Sequence, residues 1–441
     1  SDEALAKAIM NLDWNNADEV VGMYRSFVKP DFVDYLDQYR YTNMLSSWKT
    51  HFNNGFTNYI MSGIVRPIEK TLTGIQDWGW SKLTGKEQKY FAKDGLNLIK
   101  GYYNALPEAS KTFWKILNEG KIVMTDDFTR AGLKRLPISN KGFWKAYTTP
   151  LRALEASDEF FRSLIISGEL KAGMKLEDAQ KSAQYILFRQ TFDPQNKLGQ
   201  GKILSFFDKF NNWIAQGRNL PIVDWFIPYL QTPTNILKQG LEYSPLGVTT
   251  LWGNTHKMEQ LSKAIIGTGV YAMAAGLAAN GLTTWEAPRD EEEKKLFYAA
   301  GLQPYSVKID GKWVSFQKLG PLSYPIAMAA AMKDVSSRNV SDDVLQNIVQ
   351  GIGASLQFFS NQSYVEQLGS MIDAIRGGKL FSIGTAQRAV ESTIQQAVPY
   401  TAFMGWLTRM VDPVYRKPEG IVQKIESNIP GLSQNVPAYT T

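Results

Sequence analysis

AIIGTGVYAMAAGLAANGLTTW (Ala264–Trp285) is the stretch whose reading decides the fold. It carries no charged residue, and about 20 such residues in a helix suffice to cross a bilayer. Gly267, Gly269, Gly276 and several alanines stand where leucine and phenylalanine would make insertion strongly favourable. The segment is therefore a poor permanent anchor, and two readings stay open: a core helix of a helical bundle, or a helix that inserts conditionally. Thr268, Ala272 and Gly276 recur every four residues and form a smooth helix face. That face would suit close approach by another helix of the same chain, by a second copy, or by a membrane environment.

Downstream, APRDEEEKKLFYAAG (Ala287–Gly301) opens as a charged helix start. Two runs of alternating residues follow, Tyr305–Ile309 and Lys312–Phe316, around Asp310-Gly311, a favoured two-residue hairpin turn. Small apolar helices resume at Ile326–Met332, Val344–Phe359 and Ala386–Arg409. The end of the chain, punctuated by Pro and Gly, reads as an extended strap.

Upstream, helical spacing dominates. Asp2–Tyr41 reads as two helices divided at Lys29-Pro30, and Leu45–Ile75 as an aromatic helix kinked or ended by Arg66-Pro67. Thr84 and Glu87 fit a capping box opening a helix whose buried side is Leu96, Ile99, Tyr103 and Leu106, up to Pro107. Leu133–Pro150 is loop-rich, and Leu151–Gly173 is a patterned amphipathic helix. Phe206–Gly247 is cut by Pro221, Pro228, Pro233 and Pro245 into short turns, either packed corners or re-entrant membrane pieces. The expected architecture is mainly α: a multi-helix, elongated assembly with one small β-hairpin near 305–316. Three segments are expected, 1–135, 151–260 and 261–441.

With 441 residues the chain exceeds one ordinary core. It has no Cys, so disulfides and cysteine-ligated metal sites are excluded, and only His51 and His256 remain for imidazole chemistry. A formal charge of +6 is a mild basic bias without a dense Lys/Arg run. The chain opens on Ser1-Asp2-Glu3, with no initiator Met and no basic or apolar leader pattern. We therefore expect a piece of a longer polypeptide without an export signal.

Few residues invite chemistry. His51 lies inside a helical pattern with no second ligand one turn away, which favours a structural role. Glu155 and Glu159, one turn apart, resemble the paired carboxylates of glycoside hydrolysis, yet Arg152 and Arg162 beside them favour ordinary ion pairing. Gly199–Lys202 fails as a phosphate loop because Ile203 stands where Ser or Thr is required. Gly267-Thr268-Gly269 lacks the preceding strand and the following acid of a dinucleotide fingerprint. No catalytic residue, metal or cofactor is expected.

Three blocks carry a resemblance: TPTNILKQGLEYSPLG (Thr232–Gly247), GLQPYSVKIDGKWVSFQKLGPLS (Gly301–Ser323) and MVDPVYRKPEGIVQKIESNIPGLSQNVP (Met410–Pro437). The chain from roughly Leu151 to Pro437 resembles a cassette of the large polyvalent proteins of phages and prophages. Its motif positions are Thr232, Pro233, Asn235, Pro245, Gly301, Pro304, Tyr305, Trp313, Asp412, Pro413, Pro430 and Gly431. In short-tailed phages, similar proteins act as internal virion or ejection proteins. The resemblance implies a virion-interior protein that is delivered into the host envelope, across periplasm and inner membrane, to help form a conduit for the genome. Its implied partners are further copies, other virion core or portal proteins and the host membrane, with phage DNA passing through unread. The 12 Trp and 20 Tyr suit membrane interfaces. An envelope-degrading, lytic transglycosylase-type segment is the alternative, and a DNA-binding core protein a third reading that scattered charges disfavour. For the membrane reading, loosening by mild acid or denaturant is the expected trigger.

Overall fold

The computed structural model describes residues 39, 42–43, 45–119, 142–188, 231–251, 256–288, 290–338, 400–414 and 416–438. Among these the chain is mostly helical, with one small two-stranded antiparallel sheet, as the sequence predicts. In chain order the helices are α1 (Trp48–Tyr59), α2 (Arg66–Thr84), α3 (Lys93–Glu119), α4 (Gly142–Tyr147), α5 (Thr149–Lys171) and α6 (Leu176–Ile186). They continue as α7 (Gln231–Glu242), α8 (Lys257–Ala279), α9 (Glu291–Ala299), α10 (Ser323–Arg338), α11 (Thr401–Val411) and α12 (Gly420–Glu426). The helices expected over Asp2–Tyr41 and Val344–Phe359, and most of the turns expected over Phe206–Gly247, lie outside the described residues. So does the rejected phosphate-loop stretch.

The expected three consecutive segments give way to two units built from separated stretches. One takes the described residues within Ser1–Phe52, Pro107–Phe160 and Phe381–Thr440, the other those within Asn53–Leu106 and Phe161–Leu380. The boundaries at Phe52, Leu106 and Phe160 fall inside continuous helices, so no loop composition announces them.

In the second unit, α2 follows a π-helical turn, Ile60–Val65. Pro67 occupies the first turn of α2, where a missing N–H costs least, and Val65 and Arg66 keep helical backbone. The break expected at Arg66-Pro67 is thus a change of pitch. Gly85, at φ 70°, ends α2, its N–H donating to Ser81 O at 2.9 Å. The capping box expected at Thr84 does not form: the Thr84 hydroxyl donates back to Trp80 O at 2.8 Å. The next helix starts at Lys93 and passes through Pro107. An added Cβ at Gly74 would meet the Phe91 carbonyl carbon at 2.1 Å, and one at Gly95 would meet Pro67 O at 2.4 Å. The α2–α3 connection is therefore a tight antiparallel hairpin.

Helix α10 forms the centre of the unit's main apolar cluster. Tyr324, Ala327 and Ala331 are fully buried there with Trp285, Tyr305, Phe316, Leu241 and Ala274. Strands β1 (Ser306–Ile309) and β2 (Lys312–Ser315) pair with Ile309 opposite Lys312. Asp310 and Gly311 both adopt positive φ, 49° and 75°, as a type I′ turn requires. The ring of Trp285 packs edge-on against Tyr305 at 5.3 Å and is a core residue.

In the first unit, Tyr147 is the hub. It stacks on Tyr39 at 5.7 Å, meets Tyr400 edge-on at 5.4 Å and donates to Asn43 Oδ1 at 3.0 Å. Asn43 Oδ1 also accepts from Tyr400 N at 2.8 Å, tying in the start of the C-terminal segment. That segment is no extended strap. It contains α11 and α12 and closes on itself, Arg416 bonding both Asp412 oxygens at 3.1 and 3.2 Å and Val436 O at 3.1 Å.

Helix α8 runs from Lys257 to Ala279 and ends at Asn280-Gly281, so it starts earlier and stops sooner than Ala264–Trp285. Its buried side is Gln260, Ser262, Lys263, Ala264, Gly267, Ala274 and Ala278. Thr268, Ala272 and Gly276 are exposed, and nothing lies within 4 Å of a Cβ placed on Gly276. Packing of that face against this chain is thereby corrected: the close approach is at Gly267, where a Cβ would meet the Tyr243 carbonyl carbon at 2.0 Å. Gly267→Ala should therefore destabilise the fold by about 1–3 kcal/mol, because backbone must move. Gly276→Leu should leave it as stable or more so, since an exposed helical glycine is replaced by a better helix former. Urea denaturation of both variants measures the difference.

Candidate functional site

The interior of the second unit holds a connected set of ions. From α2, the Arg66 guanidinium donates to Glu169 Oε1 of α5 at 2.7 Å, to Glu69 Oε1 at 2.6 Å and to Ser182 Oγ of α6 at 3.2 Å. Lys70 Nζ stands 3.3 Å from both Glu169 Oε2 and Glu259 Oε1 of α8. The Tyr243 hydroxyl donates to Glu69 Oε2 at 2.8 Å. Lys263 of α8 donates to Glu242 Oε2 at 3.1 Å and lies 3.9 Å above the Tyr185 ring. The Tyr185 hydroxyl donates to the same carboxylate. Thr73 Oγ1 and Ser262 Oγ, 2.8 Å apart, complete the α2–α8 seam.

Arg66, Lys70 and Lys263 thus face Glu69, Glu169, Glu242 and Glu259, with Lys238 adding its field at Glu242. Burial by itself would raise the Glu169 pKa. Arg66 and Lys70, helped by the Ser182 hydroxyl, hold it below the ordinary carboxylate range instead. Glu242 behaves likewise: burial opposes its charge, and Lys263 and Lys238 prevail. Some groups remain unmatched. The Tyr102 hydroxyl, Gln239 Oε1 and Gln76 Oε1 are buried without a protein hydrogen-bond partner among the described residues. A polar interior only partly satisfied holds its helices at a cost.

The consequence shows on the outside. Around α2, Arg66, Glu69, Lys70, Thr73 and Asp77 share the buried face. Ile64, Ile68, Ile75 and Trp78, on the opposite side, are 42, 48, 51 and 56% exposed. The first turns of α8 share this pattern, with Ser262 and Lys263 inside and Ile265 outside, whereas farther along Ala274 and Ala278 are buried and Ala272 and Met273 exposed. On α3, Leu96, Ile99, Tyr103 and Leu106 are exposed and Gly95, Leu98 and Gly101 buried, so the side expected inward faces out. Of the described helices, α8 alone is long and apolar enough to cross a membrane, and a third of its apolar window is buried.

The positions singled out in the sequence have other places. Asn235 is buried and donates to Phe188 O at 2.8 Å. Thr232 and Pro233 lie in the first turn of α7, and Pro245 opens a 3-10 helix. Gly301 (φ 72°) follows α9 and, with Pro304, leads into the buried Tyr305, while Lys308 lies 5.6 Å over Trp313. Asp412 also accepts from Ser433 Oγ at 2.6 Å, Pro413 follows it, and Pro430 and Gly431 (φ 86°) form a turn. None of these belongs to the ionic set. His51 donates from Nε2 to Leu45 O at 2.7 Å, and burial lowers its pKa, as befits a structural histidine. Glu155 is buried, not set in an open cleft, and Arg152 turns to the carbonyls of Leu117 and Lys145. Among the described residues no three acidic or imidazole groups converge as metal ligands. The ionic set leaves no signature in the sequence, because its members come from five helices and no local spacing joins them.

Glu169→Gln should cost about 3–5 kcal/mol at neutral pH, since Arg66 and Lys70 stay buried without their shared anion. Carboxylates held low stabilise the fold above their unfolded pKa of about 4.3 and lose that contribution as pH falls through the folded values. Stability should therefore be level from neutral pH to about 5 and decline below about 4. The decline should be shallower in Glu169→Gln, as read by thermal melts across pH. Mild acid alone should therefore loosen the fold little.

No protein-family model matches the chain, and neither a curated protein nor a solved structure matches it significantly.

Proposed function

We propose that this chain is a non-catalytic segment of a phage internal virion protein, carried in the capsid and ejected into the host envelope to help form a conduit for the genome. It acts there with further copies and with other core or portal proteins, and α8 is the segment that enters the membrane once released. The observation that carries this reading is the polarity of α2 from Arg66 to Trp78 and of α8 from Glu259 to Met273, where the charged side chains are paired or hydrogen-bonded inside and the exposed ones carry no charge. Helices in a bilayer bury and pair their ionisable residues in this manner, and helices in water do the reverse. The partly satisfied interior supports the second half of the proposal, because helices held by costly polar contacts can be exchanged for another arrangement. The small outward residues of α8, Thr268, Ala272 and Gly276, then serve close packing between helices after insertion.

Liposome flotation in sub-denaturing urea tests the reading. The wild type should float and Ala272→Arg should not, since an arginine at mid-helix costs about 2.5–3.5 kcal/mol on insertion scales. Ala272 is exposed, so the folded state should tolerate the change. Equal flotation of the two, or none by either, would contradict membrane entry by α8.

A further inference from the structure

The tip of the α2–α3 hairpin combines two features absent from the ionic interior. Leu83 is 84% exposed at the end of α2, and Trp78, Trp80 and Phe91 around it are exposed as well. Among them stand Lys82, Lys86, Lys89 and Lys93, all exposed, with Glu87 as the exposed acid between them. No ion pair engages any of the four lysines among the described residues; Lys93 lies 5.1 Å over the Phe91 ring.

The neighbouring carboxylates are committed elsewhere. Asp77 Oδ2 accepts from Lys89 N at 2.6 Å and Tyr90 N at 2.8 Å, and Asp94 Oδ2 from Phe91 N at 2.8 Å. Ser81 Oγ donates to Lys86 O at 2.6 Å, and Gln88 Nε2 to Tyr90 O at 2.6 Å. The connection is thereby held in one shape, with its cations and large apolar groups presented together and little entropy left to lose on docking.

We propose that this tip is a docking site for an anionic phospholipid surface. Free lysines meet the headgroup charge, and Leu83 and the tryptophans enter the headgroup–acyl boundary, where amphipathic rings and lysine stems are accommodated. Four lysines stand against three carboxylates of which Glu87 alone is exposed, and this exposed excess of positive charge selects the occupant. A nucleic-acid backbone would use the cations but leave Leu83 in water. The proposal rests on the membrane reading above and adds a contact made by the folded chain, before α8 is released.

The test is flotation of the intact chain, without urea, at neutral pH and low salt, on vesicles of phosphatidylglycerol and phosphatidylcholine and on phosphatidylcholine alone. The wild type should float on the anionic vesicles and be released by salt. Lys86→Ala/Lys89→Ala should lower partitioning about thirtyfold, at roughly fivefold per lysine. Leu83→Ser should weaken binding on the same vesicles, and Lys312→Ala in the β-hairpin should leave it unchanged. Thermal melts of the variants should match the wild type, since every altered side chain is exposed. Flotation indifferent to the tip variants or to lipid charge would overturn the tip and leave the α8 reading intact, as would flotation seen only in urea. Binding of a duplex or single-stranded oligonucleotide in place of vesicles would also overturn it. Tip-dependent flotation without urea-dependent insertion would retain the docking site and remove the α8 step.

Discussion

Arg66 and Glu169 decide how the second unit is arranged. Their contact at 2.7 Å brings together the start of α2 and the end of α5, and both groups are withdrawn from water. Removing two such ions from solvent costs several kcal/mol each, so their attraction repays the cost only when further partners close the set. Lys70, Glu69 and Ser182 close it locally, and Glu259 brings α8 into the same centre. Once the charged side of α2 points inward, geometry leaves no choice about Ile64, Ile68, Ile75 and Trp78. They lie half a helical turn away and must face out.

An interior of this kind gives specificity of arrangement more readily than stability. Hydrophobic surfaces slide past one another at small cost, whereas Arg66 reaches three partners only with α2, α5 and α6 in one register. Apolar packing occurs in two places, around α10 with Trp285, Tyr305 and Phe316, and in a second cluster of Met61, Val65, Ile165, Ile186 and Tyr243 among the helices that carry the ions. Helices α2, α5, α6 and α8 are thus held by ionic and apolar contacts together, and the C-terminal half of α8 also packs into the α10 cluster through Ala274.

Much of the fold was legible in the sequence. Asp310-Gly311 between alternating strands specifies its turn through the positive φ that both positions adopt, and the structure has that turn. Helical periodicity also marked the right residues as neighbours. What it could not supply is direction. Leu96, Ile99 and Tyr103 do share a face of α3, but periodicity states which side chains lie together and is silent on which medium they meet. On α8 small and apolar residues surround much of the helix, so Thr268 and Gly276 looked as suitable for packing as Gly267, and only the approach of the Tyr243 backbone separates them. The helix end at Gly85 was misread because Thr84 and Glu87 satisfy a start pattern while Gly85 satisfies a stop, and the stop prevails. The ionic centre was illegible for a different reason: Arg66, Glu169 and Glu259 are far apart in the chain and ordinary in their local settings.

The proposed contact is between lipid and the outward apolar faces of the second unit. Because the chain has no Cys, single cysteines carrying a nitroxide can be placed one at a time from Ile64 to Leu83 without a background signal. Their accessibility to oxygen, which partitions into lipid, and to a water-soluble nickel complex can then be measured with anionic vesicles present. Ile64, Ile68, Ile75 and Trp78 should become oxygen-rich and nickel-poor, with a helical period, on adding vesicles. Accessibility that remains water-like at all four positions would contradict it.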